Sequence, residues 1–368
     1  MAIVRMKDIA RDLGVSVGAV SKALRNDPDI GQATKDRVLK RMKELNYRPN
    51  LMARALVTGR SSIVALVVPD LMSTFFSEIA IYMSMELRKQ GYSMLISWTE
   101  EDPEIQASEI EHLLSIGIDA MVIATSGNDT KSFRRLKERN VPYLLLDREV
   151  AGLKAPYVGG DDILFGRMAT EHLIAEGCKR IGHISGPPMS PGFGRLEGYK
   201  RALKSAGIRI NEDYIVSPAE PGPRTFHHGF ESAQRLLAVK PRVDGIFCFN
   251  DPLAIGAMEA VLAAGLRIPQ DIAIIGCGNH PLGATLRNPV SSIDQNTKEI
   301  GEKAATQVLC ILQNNSKSTP DRMTLVKPRL LVRASSNRAA FKSSDRNAGN
   351  QISSNGKSPK APLRQAEI

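Results

Sequence analysis

The chain of 368 residues is poor in aromatics, at 5%, and has one tryptophan and four cysteines. Cys178, Cys248, Cys277 and Cys310 lie far apart, form no C-x-x-C pair and sit in or beside apolar stretches, which reads as free buried thiols of a reducing cytosol. No apolar run approaches the length of a bilayer span. The N-terminus lacks a signal-peptide core, since Asp8, Arg11 and Asp12 interrupt it, so a cytoplasmic location is expected. Catalytic signatures are missing as well. Gly182-His183-Ile184-Ser185-Gly186 has the wrong spacing for a nucleophile elbow, and Gly192-Phe193-Gly194 lacks the third glycine of a dinucleotide loop. His183, His227, His228 and His280 show no metal-ligand spacing. No enzyme activity, cofactor or metal is expected.

What is present is an ordinary globular balance, 42% hydrophobic and 24% charged, in a chain about two or three times the usual single-domain length. The net charge of +10 is uneven. Residues 1–60 carry +7 and residues 336–368 carry +4, while the body between them is nearly neutral at −1. A basic head of this kind points to a nucleic-acid partner.

The head reads as three short helices. Ile9, Ala10 and Leu13 form one apolar stripe, ended by Gly14 at a position that favours a left-handed backbone. Ser16 can cap a second helix whose Val20 and Leu24 face inward. Val38, Leu39, Met42 and Leu45 then predict a third, stopped at Pro49. Helix, glycine turn and capped second helix make a helix-turn-helix, in which the second helix enters the DNA major groove.

From Ser61 the pattern changes to apolar strands alternating with amphipathic helices. One series comprises 63–68, 93–97, 120–124 and 143–146, and a second comprises 181–185, 245–249 and 272–275. Two doubly wound parallel sheets follow, as two subdomains with chain crossovers near 160 and 290. The segment from Ser335 is rich in Ser, Asn, Lys and Gly and is expected to stay disordered. The boundaries read as a head over 1–49, a hinge over 50–60, a two-subdomain body over 61–335 and a tail over 336–368.

At Ile9 to Leu24, continuing through Tyr47-Arg48-Pro49-Asn50 and Ala53-Arg54-Ala55-Leu56, the sequence resembles the LacI/GalR family of bacterial transcriptional repressors. The resemblance implies an all-α helix-turn-helix head and a periplasmic-binding-protein-like α/β sensor. It implies base contacts from Val17, Gly18 and Lys22, phosphate contacts from Ser16 and Ser21, and a hinge helix over Asn50 to Val57. In that hinge Arg54 belongs to the matching motif, and Leu56 would wedge into a minor-groove step. Gly18-Ala19 replaces the usual Ala-Thr, and Lys22 stands where Arg is common. Readout should therefore lean on Lys22, on apolar contact by Val17 and on DNA shape.

In the sensor, Val68 to Phe76 follows the first strand, where ligands of parallel α/β sheets bind. The resemblance implies effector contacts from Phe75 or Phe76, Asp147, Arg195 and Asn250, while Asp161 and Asp251 are candidate helix caps. The family's Gly-aromatic-Asp-Asp is here Gly276-Cys277-Gly278-Asn279, which places Asn279 at the site and removes two carboxylates. With Arg224 aligned near the ligand, this departure suits an anionic sugar derivative. The reading is a homodimeric, DNA-binding repressor on a pseudopalindromic operator, controlled by a small polar effector, a sugar or sugar acid. The different-class alternative is the solute-binding protein of a sugar transporter.

Overall fold

The computed structural model describes residues 4–24, 26–47, 59–128, 130–218, 226–313 and 323–339. The chain divides into two compact units, Met1–Ser62 and Ile63–Ile368.

The first unit holds helices α1 (Met6–Leu13), α2 (Val17–Leu24) and α3 (Gln32–Glu44). Its core is Ile9, Ala10, Val20, Ala23, Val38 and Met42, ringed by Leu13, Leu24, Ile30 and Leu45. Gly14 ends α1 in the left-handed region, φ 65°, and lets the chain turn at once into α2. The Ser16 hydroxyl accepts from the Ala19 amide at 3.0 Å and caps α2. Arg37 ties α3 to the end of α1 by donating to the Leu13 carbonyl at 3.0 Å. One position differs from the sequence reading: Leu39 is 51% exposed. Val38, Met42 and Leu45 follow the i, i+4, i+7 stripe, and Leu39 stands one residue, about 100°, off that face. The expected hinge, including Asn50, Arg54 and Leu56, lies outside the described residues.

The second unit contains two six-stranded sheets. The first is built from β1 (Ile63–Val68), β2 (Ser93–Trp98), β3 (Ala120–Ile123), β4 (Tyr143–Leu146), β5 (Tyr157–Gly160) and β11 (Met323–Val326), in the order β11-β5-β4-β3-β1-β2. All its pairings are parallel. Helices α4 (Thr74–Lys89), α5 (Pro103–Ile116), α6 (Lys131–Glu138) and α12 (Thr297–Leu312) belong to this sheet. Ile79 and Met83 of α4 and Ile300 and Val308 of α12 cover one face of β1, and Ile110 of α5 and Phe133 of α6 cover the other.

The second sheet comprises β6 (Ile181–Ile184), β7 (Ile215–Val216), β8 (Gly245–Cys248), β9 (Ala273–Cys277), β10 (Ser291–Asp294) and β12 (Arg329–Leu331), in the order β12-β10-β9-β8-β6-β7. It is parallel apart from β12, which runs antiparallel to β10. Helices α7 (Asp162–Ala175) and α8 (Ser190–Ser205) lie on one face, α9 (Phe226–Ala238) and α10 (Asp251–Ala263) on the other, with a short α11 (Pro281–Thr285) after β9.

The chain crosses between the sheets three times, not twice: between β5 and α7, between β10 and α12, and between β11 and β12. The tail boundary also moves. Ser335 and Ser336 are fully buried, and Arg338 donates to the carbonyls of Pro269 and Asp244. This polar segment is held by hydrogen bonds, which a scan for apolar residues does not register. Residues 340–368 lie outside the described residues.

Candidate functional site: a DNA-facing helix and an effector cleft

On α2 the apolar side sinks Val20 and Ala23 into the head core, which leaves Ser16, Val17 and Gly18 exposed and Ser21 and Lys22 half-buried on the opposite side. The five residues of this segment expected to touch DNA are therefore all accessible. A Cβ on Gly18 would meet only the Ser16 hydroxyl, at 3.7 Å, so this surface is open to close approach. Lys22 Nζ is 2.7 Å from the Asp29 carboxylate.

The second site lies at the carboxyl ends of the strands. Strand order reverses at β1, between β2 and β3, and at β6, between β7 and β8. Loops leaving such reversals in opposite directions open a crevice. The resulting cleft, of about 550 Å³, is lined from the first sheet by Asp70, Met72 to Phe76, Glu101, Asp147 and Arg148. Pro187, Pro191, Arg195, Phe226, Phe249, Asn250, Pro252, Cys277, Gly278, His280, Leu282 and Gln295 line it from the second.

Phe75 and Phe76 both reach the wall. Phe76 is also buried in the core of the first sheet, and the two rings meet edge to face with centroids 5.1 Å apart. Phe76 thus belongs both to the core and to the cleft wall.

Arg195 is 3% exposed, and each of its three guanidinium nitrogens is hydrogen-bonded. Its guanidinium donates to Asp162 at 2.9 Å, to the Phe249 carbonyl at 2.6 Å and to Gln295 Oε1 at 3.1 Å, and lies 4.2 Å above the Phe249 ring. Arg148, 5% exposed, forms a two-pronged ion pair with Glu101, both contacts at 2.7 Å, and donates to the Thr125 carbonyl. Its Nε is buried and has no partner among the described residues. Glu100 and Glu101 both adopt left-handed φ, 54° and 60°, so backbone strain is held at this corner.

Asp147 also has positive φ, 61°, and is 7% exposed. No described residue donates a hydrogen bond to its carboxyl. Burial, and then the negative charge of Asp162, push its pKa up to about 7, against the pull of Arg148 and Arg195. Asp162 is raised by burial too, against the same Arg195. Three carboxyls, those of Glu101, Asp147 and Asp162, thus face two guanidiniums, and Asp147 is the one left without a donor.

Asn250 lines the cleft, and its Oδ1 accepts from the Leu253 amide at 3.0 Å, capping α10. Its side-chain NH2 has no partner among the described residues. Asp161 caps α7 by accepting from the Leu164 amide. Asp251 is no cap. It is buried, accepts from the His280 amide at 2.6 Å and from the Ser292 hydroxyl, and burial lifts its pKa to about 6. Asn279 is absent from the cleft wall, because its Oδ1 accepts from Arg333 at 2.6 Å and its amide bonds Ser292. Arg224 lies outside the described residues. His183 is a core residue stacked between Tyr199 and Phe247, its pKa lowered to about 4 by burial.

Sequence reasoning assigned no role to Glu101, Asp162 and Gln295, and Arg148 stood in it only as part of the matching Asp147-Arg148 pair. Arg148 directly follows Asp147 and Asp162 directly follows Asp161, so adjacency to a motif residue was the available signal. Nothing in the sequence marks Glu101 and Gln295 as neighbours of those arginines.

Two family profiles match the chain: bacterial regulatory proteins, lacI family, over residues 5–50, and the periplasmic binding protein-like domain over residues 170–336. The ribose operon repressor of Halalkalibacterium halodurans is 31% identical over 332 residues, covering 89% of this chain and 96% of that protein. Among solved structures, the transcriptional regulator CelR in complex with cellobiose aligns with a TM-score of 0.69 and 27% identity, over 90% of this chain and 99% of the other. The lac repressor dimer bound to operator and the anti-inducer ONPF aligns with a TM-score of 0.80 over 91% and 99%, and at 23% identity this likeness is one of fold. The family's DNA-binding profile over the head disfavours the solute-binding alternative. With a helix-turn-helix head, a two-sheet sensor and a relative matched almost end to end, the chain belongs to the lacI family of bacterial regulatory proteins, DNA-binding repressors of transcription.

Proposed function

We propose that the protein is a dimeric cytoplasmic repressor whose hold on a pseudopalindromic operator is set by a neutral, hydroxyl-rich effector in the cleft. The observation that carries the effector class is the matching of charge. Arg195 is neutralised by Asp162 and Arg148 by Glu101, Asp70 adds a negative charge to the wall, and Asp147, with its pKa raised to about 7, adds part of one. An anion would enter a cleft with no surplus positive charge among the described residues. A sugar hydroxyl can donate to Asp147, while the Arg148 Nε–H and the Asn250 NH2 donate to sugar oxygens and Phe75 and Phe249 face the ring. The names of the relatives, a ribose operon repressor and a cellobiose-bound regulator, support a sugar. The anionic alternative rested on the two carboxylates missing at Cys277-Gly278-Asn279 and on Arg224, which lies outside the described residues; against the first, Glu101, Asp147 and Asp70 keep carboxyls on the wall.

Dimerisation follows from the operator side: one short helix reads a half-site, and two-fold protein symmetry matches a palindrome. The surface that suits it is on the first sheet. Ile81 and Met85 of α4 are 58% and 51% exposed, and Ile96 and Trp98 of the edge strand β2 are 43% and 47% exposed. Exposed apolar groups along an unpaired sheet edge invite a partner.

Selection of bound duplexes from random DNA by the full chain tests the repressor reading, and failure to enrich a pseudopalindrome would overturn it. Thermal-shift comparison of ribose and cellobiose with ribose 5-phosphate and gluconate tests the effector class. Stabilisation by the neutral sugars is expected, and stabilisation by the anions alone would reverse the assignment.

A further inference from the structure

The exposed surface of α2 carries an acidic neighbour. Asp29 lies beyond the C-terminal end of the helix, and its carboxylate meets Lys22 Nζ at 2.7 Å. A carboxylate at a surface meant for phosphates costs DNA affinity, so its placement calls for a physical reason. Stability is not that reason, because the two side chains are 41% and 68% exposed, and ion pairs so open to water contribute little to folding.

Hydrogen bonds hold the backbone that carries Asp29. Its amide donates to the Asp27 carboxylate at 3.0 Å, and the Asp27 amide in turn donates to the Lys22 carbonyl at 3.1 Å. Asn26 adopts φ 54°, and the buried Lys35 clamps it through Nζ contacts to its side-chain oxygen at 3.0 Å and its carbonyl at 3.4 Å. A lysine is a mobile point charge with freely rotating donors and lacks the fixed fork of arginine. A carboxylate on a fixed loop restricts where that point charge sits.

We propose that Asp29 is a positioning residue for operator selectivity: by holding Lys22 in one direction it commits the ammonium to a base edge and disfavours its use on any nearby phosphate. The inference rests on the DNA-binding reading of α2. It is a case of selectivity obtained by penalising the wrong partner, since a backbone phosphate approaching Lys22 meets the carboxylate as well.

The test compares wild-type, Asp29→Asn, Asp29→Glu, Lys22→Ala and the double variant Lys22→Ala/Asp29→Asn, all as full chains. Two duplexes of equal length are used: the operator selected by wild type from random DNA, and a random-sequence pool. Asp29→Asn should bind the random pool several-fold tighter, lower the operator-to-random affinity ratio several-fold and steepen the salt dependence by up to about one unit of log–log slope. Asp29→Glu should retain the wild-type ratio. In the Lys22→Ala background the Asp29 change should leave the base preference unaltered. An unchanged ratio in Asp29→Asn would overturn the inference. So would equal weakening on both duplexes together with a lowered unfolding midpoint, which would make Asp29 structural. The same base-preference change in the Lys22→Ala background would show that Asp29 acts without Lys22, and would overturn it too. If wild type enriches no pseudopalindrome, the DNA-binding reading itself fails, an outcome distinct from an enriched operator that Asp29→Asn reads as wild type does.

Discussion

Burial beside Asp162 gives the carboxyl of Asp147 a pKa of about 7, and this has a consequence for stability that can be measured. The folded protein holds this proton more tightly than the unfolded chain, where an aspartate titrates near ~3.9. The contribution of Asp147 to folding is therefore fully present below that value and fades as pH rises towards 7. Urea unfolding between pH 5 and pH 8 should show wild type losing stability across this interval, on the order of 2–4 kcal/mol. Asp147→Asn should reduce that slope, leaving the smaller part that Asp251 contributes with its pKa of about 6, and an unchanged slope would place the proton elsewhere. Glu101→Gln makes a different case, because it leaves the Arg148 guanidinium buried with its counter-charge gone and one acceptor oxygen of two remaining. A loss of about 1–3 kcal/mol is expected, with weakened sugar binding in a thermal-shift titration. The motif residues of this cleft were legible in the sequence as Asp147, Arg195 and Asn250. Their partners were not, because Arg195 reaches Gln295 across 100 residues and Arg148 reaches Glu101 across 47.

Helices α7 and α8 cross so closely that two glycines are required at the contact. A Cβ on Gly166 would overlap the Arg195 carbonyl oxygen, and one on Gly198 would overlap that of Ile163. In an open helix Gly→Ala stabilises by restricting the unfolded chain. Here the backbones would have to part, and Gly198→Ala should instead cost about 1–3 kcal/mol in urea unfolding. It should also weaken effector binding, since α8 carries Arg195. The strands that the sequence revealed, such as Ile63–Val68 and Gly245–Cys248, are buried apolar runs, which is how parallel strands covered on both faces read. Those it concealed are of another kind. Tyr157–Gly160 ends in two glycines, Ile215–Val216 has two residues, and Ser291–Asp294 buries serines whose hydroxyls bond the chain around Arg333 and Ser336. Hydrophobic periodicity does not register segments held by hydrogen bonds, and the buried continuation at Ser335 and Ser336 was concealed for the same reason.

At the scale of the whole molecule, the +10 charge says less about DNA than the way the head uses it. Arg41 is paired with Asp12 and Glu44, Arg37 caps α1, and Lys35 is buried against Asn26, so part of the head's positive charge is structural. Operator affinity must then depend strongly on joining two heads, and the single tryptophan offers a direct view of that step. Trp98 is 47% exposed on the edge strand, beside the apolar residues Ile81, Met85 and Ile96. Assembly through this surface would bury the indole, so its emission should shift to shorter wavelength as protein concentration rises through the dimer dissociation constant. Ile81→Glu places a charge on the same surface, on a side chain that is 58% exposed and outside the core of the first sheet. It should leave the unfolding midpoint of the monomer nearly unchanged and yield a monomer by sedimentation. Binding of a full palindrome should then fall towards that of a single half-site. If the Ile81→Glu protein still sediments as a dimer, the two-fold contact lies on another surface.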